Sequence, residues 1–131
     1  MNTCKILVID DDEDDVEILV NAFLQSGVAA IQYVKTAMEA FIFLQSVEHA
    51  NLPKLIVTDN FLPGISGKEF LADLKRMEKY RHIPVVVLST SKNYEEVVAF
   101  EKMGILDYLE KPSSYEEYVK VAEQIRSKAL I

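Results

Sequence analysis

The chain predicts an α/β fold, a parallel sheet with helices on both faces, and three observations carry that reading. Short β-branched and aliphatic runs alternate with helical apolar stripes five times along the sequence. The clearest runs, such as Val85-Val86-Val87-Leu88, are apolar without alternation, as strands covered on both sides are. The connections are too short for linkers, and no repeat or low-complexity stretch interrupts them, so residues 1–131 read as a single domain.

The elements follow in order. Cys4 to Ile9, rich in Ile, Leu and Val, reads as a central strand that ends at Asp10-Asp11-Asp12-Glu13-Asp14-Asp15. Val16, Ile18, Leu19, Ala22, Phe23 and Leu24 then form a helical stripe that Gly27 closes. Ile31 to Val34 is a weaker second strand, and Ala37 to Val47 a second helix carrying Ala40, Phe41, Phe43 and Leu44. Leu55-Ile56-Val57 is the third strand. A loop with Pro63, Gly64 and Gly67 follows, and a helix starts at Lys68 with Phe70, Leu71, Leu74 and Met77 on its apolar face. Ile83 to Leu88 is the most strand-like run and stops at Ser89-Thr90-Ser91. Asn93 can cap a short helix reaching Met103, and Leu106 to Leu109 forms a brief last strand before Glu110-Lys111-Pro112. Ser113 or Ser114 caps the final helix, whose face uses Tyr118, Val119, Ala122 and Ile125, with Leu130 a candidate extension.

Composition narrows the function. Half of the residues are apolar, but no run approaches the length of a membrane span, and the N-terminal run is too short for a signal-peptide core. A cytoplasmic protein without membrane contact is expected. Net charge is −7 and no segment gathers lysines and arginines, so direct nucleic-acid binding is not expected. The single cysteine, Cys4, reads as a small apolar side chain rather than a nucleophile. His49 and His82 lack metal-ligand spacing and read as surface residues.

Four of the strands end in chemistry. The first delivers Asp10 and Asp11, the third Asp59 and the fourth Ser89, and Lys111 follows the fifth. In a parallel sheet these ends share one edge, where ligands of α/β folds bind. Three carboxylates crowded there would repel one another, which a divalent cation relieves. Mg²⁺ commonly shares its shell with a phosphoryl oxygen, for which the lysine supplies a charge and the hydroxyl a hydrogen bond. The set fits chemistry that puts phosphate on, or holds it near, an aspartate. Asp14 and Asp15 are read differently, as acids favoured at a helix N-terminus. Tyr115 and Tyr118 flank Glu116-Glu117 and read as a solvated helix start in preference to part of a binding face.

Val8-Ile9-Asp10-Asp11, the Asp59…Pro63…Gly67 pattern, Ser89 and Lys111-Pro112 fall in the order and spacing of a known family. From about Lys5 to the last helix the sequence resembles the receiver domain of two-component response regulators, and most of all small stand-alone receivers such as those paired with bacterial phytochromes. The resemblance implies a flavodoxin-like (βα)5 fold with strand order 2-1-3-4-5. It implies Asp59 as phosphoacceptor from a sensor histidine kinase or a histidine phosphotransfer protein, in a self-catalysed reaction. Mg²⁺ would be held by Asp11, Asp59 and the carbonyl of Phe61, with Asp10 acting mostly through water. Lys111 would bind a phosphoryl oxygen, Ser89 and Tyr108 would be the switch residues, and the Lys111-Pro112 bond would be cis. Output would pass through the face of the fourth helix, fifth strand and fifth helix to a downstream protein target, from a monomer or a dimer. Thr90 stands where receivers commonly have alanine, and Phe61 and Ser91 occupy positions that tune the lifetime of the acyl phosphate.

Two other functions compete. Asp10-Asp11-Asp12 also matches the Asp-x-Asp of haloacid dehalogenase-like phosphatases, a reading that leaves Asp59 idle. A phosphate-independent protein-interaction module is the other, although such a degenerate receiver would be expected to have lost Asp59, Asp11 or Lys111. An FMN carrier is disfavoured because carboxylates after the first strand would repel the cofactor's phosphate.

Overall fold

The computed structural model describes residues 4–131. Five strands, β1 (Ile6–Ile9), β2 (Ile31–Val34), β3 (Leu55–Thr58), β4 (Val85–Ser89) and β5 (Asp107–Glu110), alternate with α1 (Glu13–Gln25), α2 (Ala37–Ser46), α3 (Gly67–Arg76), α4 (Tyr94–Lys102) and α5 (Tyr115–Ala129). All paired strands are parallel, and the order is β2-β1-β3-β4-β5, the flavodoxin-like arrangement that the sequence implied. Because side chains alternate across a strand, the uninterrupted apolar runs of β1, β3 and β4 feed both faces at once. Leu7, Ile9, Ile56, Val85 and Val87 pack with Phe70, Leu71 and Leu74 of α3, Ala40 and Leu44 of α2 and Phe100 of α4. Ile6, Val8, Leu55, Val57, Val86 and Leu88 pack with Leu19 and Phe23 of α1 and Ala122 and Ile125 of α5.

Each helix next to the site edge begins on a side-chain cap. Asp12, Thr36, Ser66, Asn93 and Ser114 accept a hydrogen bond from the backbone three residues on. At α3 the cap is a full capping box, Ser66 with Glu69. Gly67 meets a separate demand. A Cβ there would lie 3.0 Å from the Asn60 Cα and carbonyl oxygen, and the Gly67 N–H donates to that oxygen at 2.7 Å. The helix after the Asp59 loop is therefore seated directly on the loop's backbone.

Three expectations are corrected. Leu130 does not extend the α5 face: it takes a left-handed φ of 59° and is 90% exposed, because the helix ends there and reverses direction. Tyr118 is no part of a solvated helix start; it is buried against β1 and α1, while Tyr115 stays exposed and donates to Gln25 Oε1 at 2.6 Å. No peptide bond among the described residues is cis, so Lys111-Pro112 is trans. Trans is the lower-energy form even before proline, and Lys111 itself is fixed upstream of that bond, its N–H donating to the Ser89 carbonyl at 2.8 Å.

Candidate functional site

β1 and β3 are neighbours in register, with Ile9 opposite Thr58, so the residues that follow them leave the sheet side by side. That register brings ligating oxygens of Asp10, Asp11 and Asp59 within 4.8 Å of one another. The three differ in environment. Asp10 is buried, and its Oδ1 accepts the Asp12 N–H at 2.9 Å while its Oδ2 faces Lys111 at 2.8 Å. Asp11 is exposed. Asp59 is 11% exposed, with Oδ1 accepting from the Phe61 N–H at 3.3 Å and Oδ2 from Lys111 at 3.1 Å.

Lys111 arrives from the far side of the sheet. β5 pairs with β4, Ser89 opposite Glu110, so the residue after β5 projects over the ends of β4 and β3. Its side chain is only 5% exposed, and its ammonium touches Asp10, Asp15 and Asp59. Burial works against a charged lysine, but the hydrogen bonds with Asp10 and Asp15 and the charges of Asp10 and Asp59 outweigh it and raise the pKa well above the ordinary value. Lys111 is a fixed cation here. Asp10 is shifted up as well, chiefly by burial and further by the Asp59 charge, with Lys111 and the Asp12 N–H opposing.

Ser89 is fully buried at the end of β4, its hydroxyl accepting from the Ser91 N–H at 3.4 Å. Tyr108 is also buried, its ring 5.5 Å from that of Phe100, and its hydroxyl donates to the Ser91 carbonyl. Burial raises the Tyr108 pKa, so the hydroxyl stays a donor. Phe61 turns its ring outward, 60% exposed, with its N–H on Asp59.

Two residues outside the sequence-based set enter the site region. Asp15, in the first turn of α1, has its Oδ2 accept from Lys111 at 2.8 Å; the N-terminal reading still describes Asp14, which is exposed, but is incomplete for Asp15. Asp11 precedes the Asp12 cap and lies outside α1, so no helical spacing ties Asp15 to the site acids. Asn60, beside Asp59, is buried and donates to Glu96 Oε2 of α4 at 3.2 Å, while Glu96 also pairs with Lys68 of α3 at 3.2 Å. Nothing local in the sequence marks that network, because its members come from three different elements.

The donor set suits a divalent cation. Asp10, Asp11 and Asp59 present only carboxylate oxygen, the hard ligand that Mg²⁺ and Mn²⁺ take, and with Asp15 they outnumber the single ammonium at the site.

The family pattern described as "Response regulator receiver domain" matches residues 6–123. Response regulator Rcp1 of Synechocystis sp. is 30% identical over 126 residues, 93% of this chain and 86% of that protein. The crystal structure of the phosphorylated cyanobacterial phytochrome response regulator RcpA superposes with a TM-score of 0.84 at 30% identity, covering 98% of this chain and 94% of that one. The Mn²⁺-bound form of Rcp1 gives a TM-score of 0.77 at 29% identity, covering 95% and 92%.

Proposed function

Since the chain belongs to the response regulator receiver domain family, a family that works with histidine kinases, we propose that it accepts a phosphoryl group on Asp59 in a Mg²⁺-dependent reaction and signals through a changed protein-interaction face. The observation that carries the reading is Lys111 Nζ at 3.1 Å from Asp59 Oδ2, beside carboxylates whose ligating oxygens lie within 4.8 Å of one another. An aspartate so placed can attack a phosphorus atom while its neighbours manage the charge. Asp11, Asp59 and the Phe61 carbonyl would hold Mg²⁺. Asp10, whose two oxygens already accept from the Asp12 N–H and face Lys111, would act through water. The ion when bound supplies charge neutralisation at the phosphoryl oxygens. Lys111 would hold one phosphoryl oxygen and Ser89 another, with Tyr108 following Ser89 as a switch.

The phosphoryl donor in this reading is a phosphohistidine on a sensor histidine kinase or a histidine phosphotransfer protein. The response passes to a downstream protein through α4, β5 and α5. One similar structure, RcpA, is a phosphorylated response regulator and another, Rcp1, is a Mn²⁺-bound form, which supports both the acceptor and the divalent ion. The phosphatase alternative is weakened because Asp12 is exposed and caps α1, accepting from the Asp15 N–H at 3.1 Å.

The test is intact mass after incubation with a small acyl phosphate and Mg²⁺. Wild type gains one phosphoryl group, and neither metal-free protein nor Asp59→Asn does. An adduct on Asp10 would favour the phosphatase. No adduct at all, together with no binding of beryllofluoride, would favour an interaction module that works without phosphate.

A further inference from the structure

An ammonium has three N–H donors and no acceptor. In this protein all three face carboxylates: Asp10 at 2.8 Å, Asp15 at 2.8 Å and Asp59 at 3.1 Å. Lys111 is therefore saturated before any phosphate arrives, and a phosphoryl oxygen can reach it only by displacing one of them. The three are not equally displaceable. Asp10 is buried, and its other oxygen is held by the Asp12 N–H. Asp59 is the acceptor itself. Asp15 is 28% exposed at its side chain and has no other side-chain hydrogen bond among the described residues, so its carboxylate can turn to water when released. From its place on α1 it also adds a negative charge near the point a phosphoryl dianion must approach.

We propose that Asp15 is a positioning residue that competes with the phosphoryl group for Lys111, holding the ammonium in the resting protein and lowering the site's affinity for phosphate. The inference rests on the phosphoacceptor function proposed above. In the reaction an oxygen of Asp59 forms a bond to phosphorus as the donor's bond to phosphorus breaks, P–N in a phosphohistidine or P–O in acetyl phosphate, and the electron pair of that bond leaves with the imidazole nitrogen or the carboxylate of the donor. No proton is transferred. What changes at Lys111 is a partner: the N–H that pointed at Asp15 turns to a phosphoryl oxygen.

The test uses the full chain with Mg²⁺ and two probes, acetyl phosphate for the rate of adduct formation and beryllofluoride for equilibrium affinity. Asp15→Asn should raise both by roughly two- to fivefold, the span expected for release of a partly exposed ion pair. Asp15→Glu, which keeps the charge, should fall back toward wild type. Asp14→Asn is the control: it removes the same charge from the same exposed helix turn without touching Lys111, and should leave both readouts unchanged. The proposal is overturned if Asp15→Asn matches wild type. It is overturned equally if that variant loses affinity, as Lys111→Ala should, since Asp15 would then be supporting Lys111 rather than competing for it. An equal gain in Asp14→Asn would reduce the effect to bulk charge and also overturn it. A wild type that takes neither probe would instead remove the phosphoacceptor function itself.

Discussion

Asp10 is the residue whose ionisation works against the fold. Its pKa is raised above the ordinary 3.8, mainly by burial, although Lys111 and a backbone N–H oppose the shift. Between 3.8 and the raised value the folded protein binds more protons at this site than the unfolded chain, so stability falls as pH rises through that window. Above the window the full penalty remains. Asp10→Asn, which keeps a carbonyl oxygen to accept from Lys111, is therefore expected to melt a few degrees higher than wild type at neutral pH in metal-free buffer. The advantage should vanish in acid below 3.8, and a lower melting temperature at neutral pH would show that the ion pair with Lys111 outweighs burial. Much at this scale was legible in the sequence, because Asp10, Asp11 and Asp59 each end or follow an apolar run and the parallel sheet brings such ends together. Asp15 was legible only as a helix acid. Its pairing with Lys111 spans 96 residues of sequence and depends on how α1 sits relative to β5, which no local pattern encodes.

Elements were legible where a local signal sets them. Asn93 and Ser114 cap as their types require, and Ile31–Val34 and Leu55–Thr58 pair as the sequence suggested. Where ends were misjudged, tertiary pairing decided: β1 starts at Ile6 rather than Cys4, and β4 runs Val85–Ser89 rather than from Ile83. The α5 terminus and the Lys111-Pro112 isomer were likewise settled by the fold around them. The element whose local chemistry matters most to the site is α3, and the Ser66–Glu69 box sets its start. Ser66→Ala removes the oxygen that accepts from the Glu69 N–H at 3.2 Å. A loss of about 1 kcal/mol in urea unfolding is expected, the usual cost of deleting such a cap. No measurable loss would mean that seating on Asn60 alone fixes the helix start.

At the scale of the whole molecule, the two apolar faces stabilise a sheet that concentrates negative charge at one edge. Ligand linkage then makes stability responsive to the ion that this edge attracts. Mg²⁺ at ten times its Kd is expected to add about 1.4 kcal/mol, read as a rise in melting temperature that Asp59→Asn blunts. An unchanged melting temperature through millimolar Mg²⁺ would argue against the site. The contact between Gly67 and Asn60 has a mechanical meaning in this setting. No side chain separates the acceptor loop from α3 at Gly67, whose N–H donates to the Asn60 carbonyl at 2.7 Å. A displacement of that loop is transmitted as a push on the first turn of α3, whose inner stripe of Phe70, Leu71 and Leu74 is fully buried and resists compression. The acceptor loop is thus held through its backbone on the α3 side and through a side chain on the α4 side, where Asn60 donates to Glu96 Oε2 at 3.2 Å.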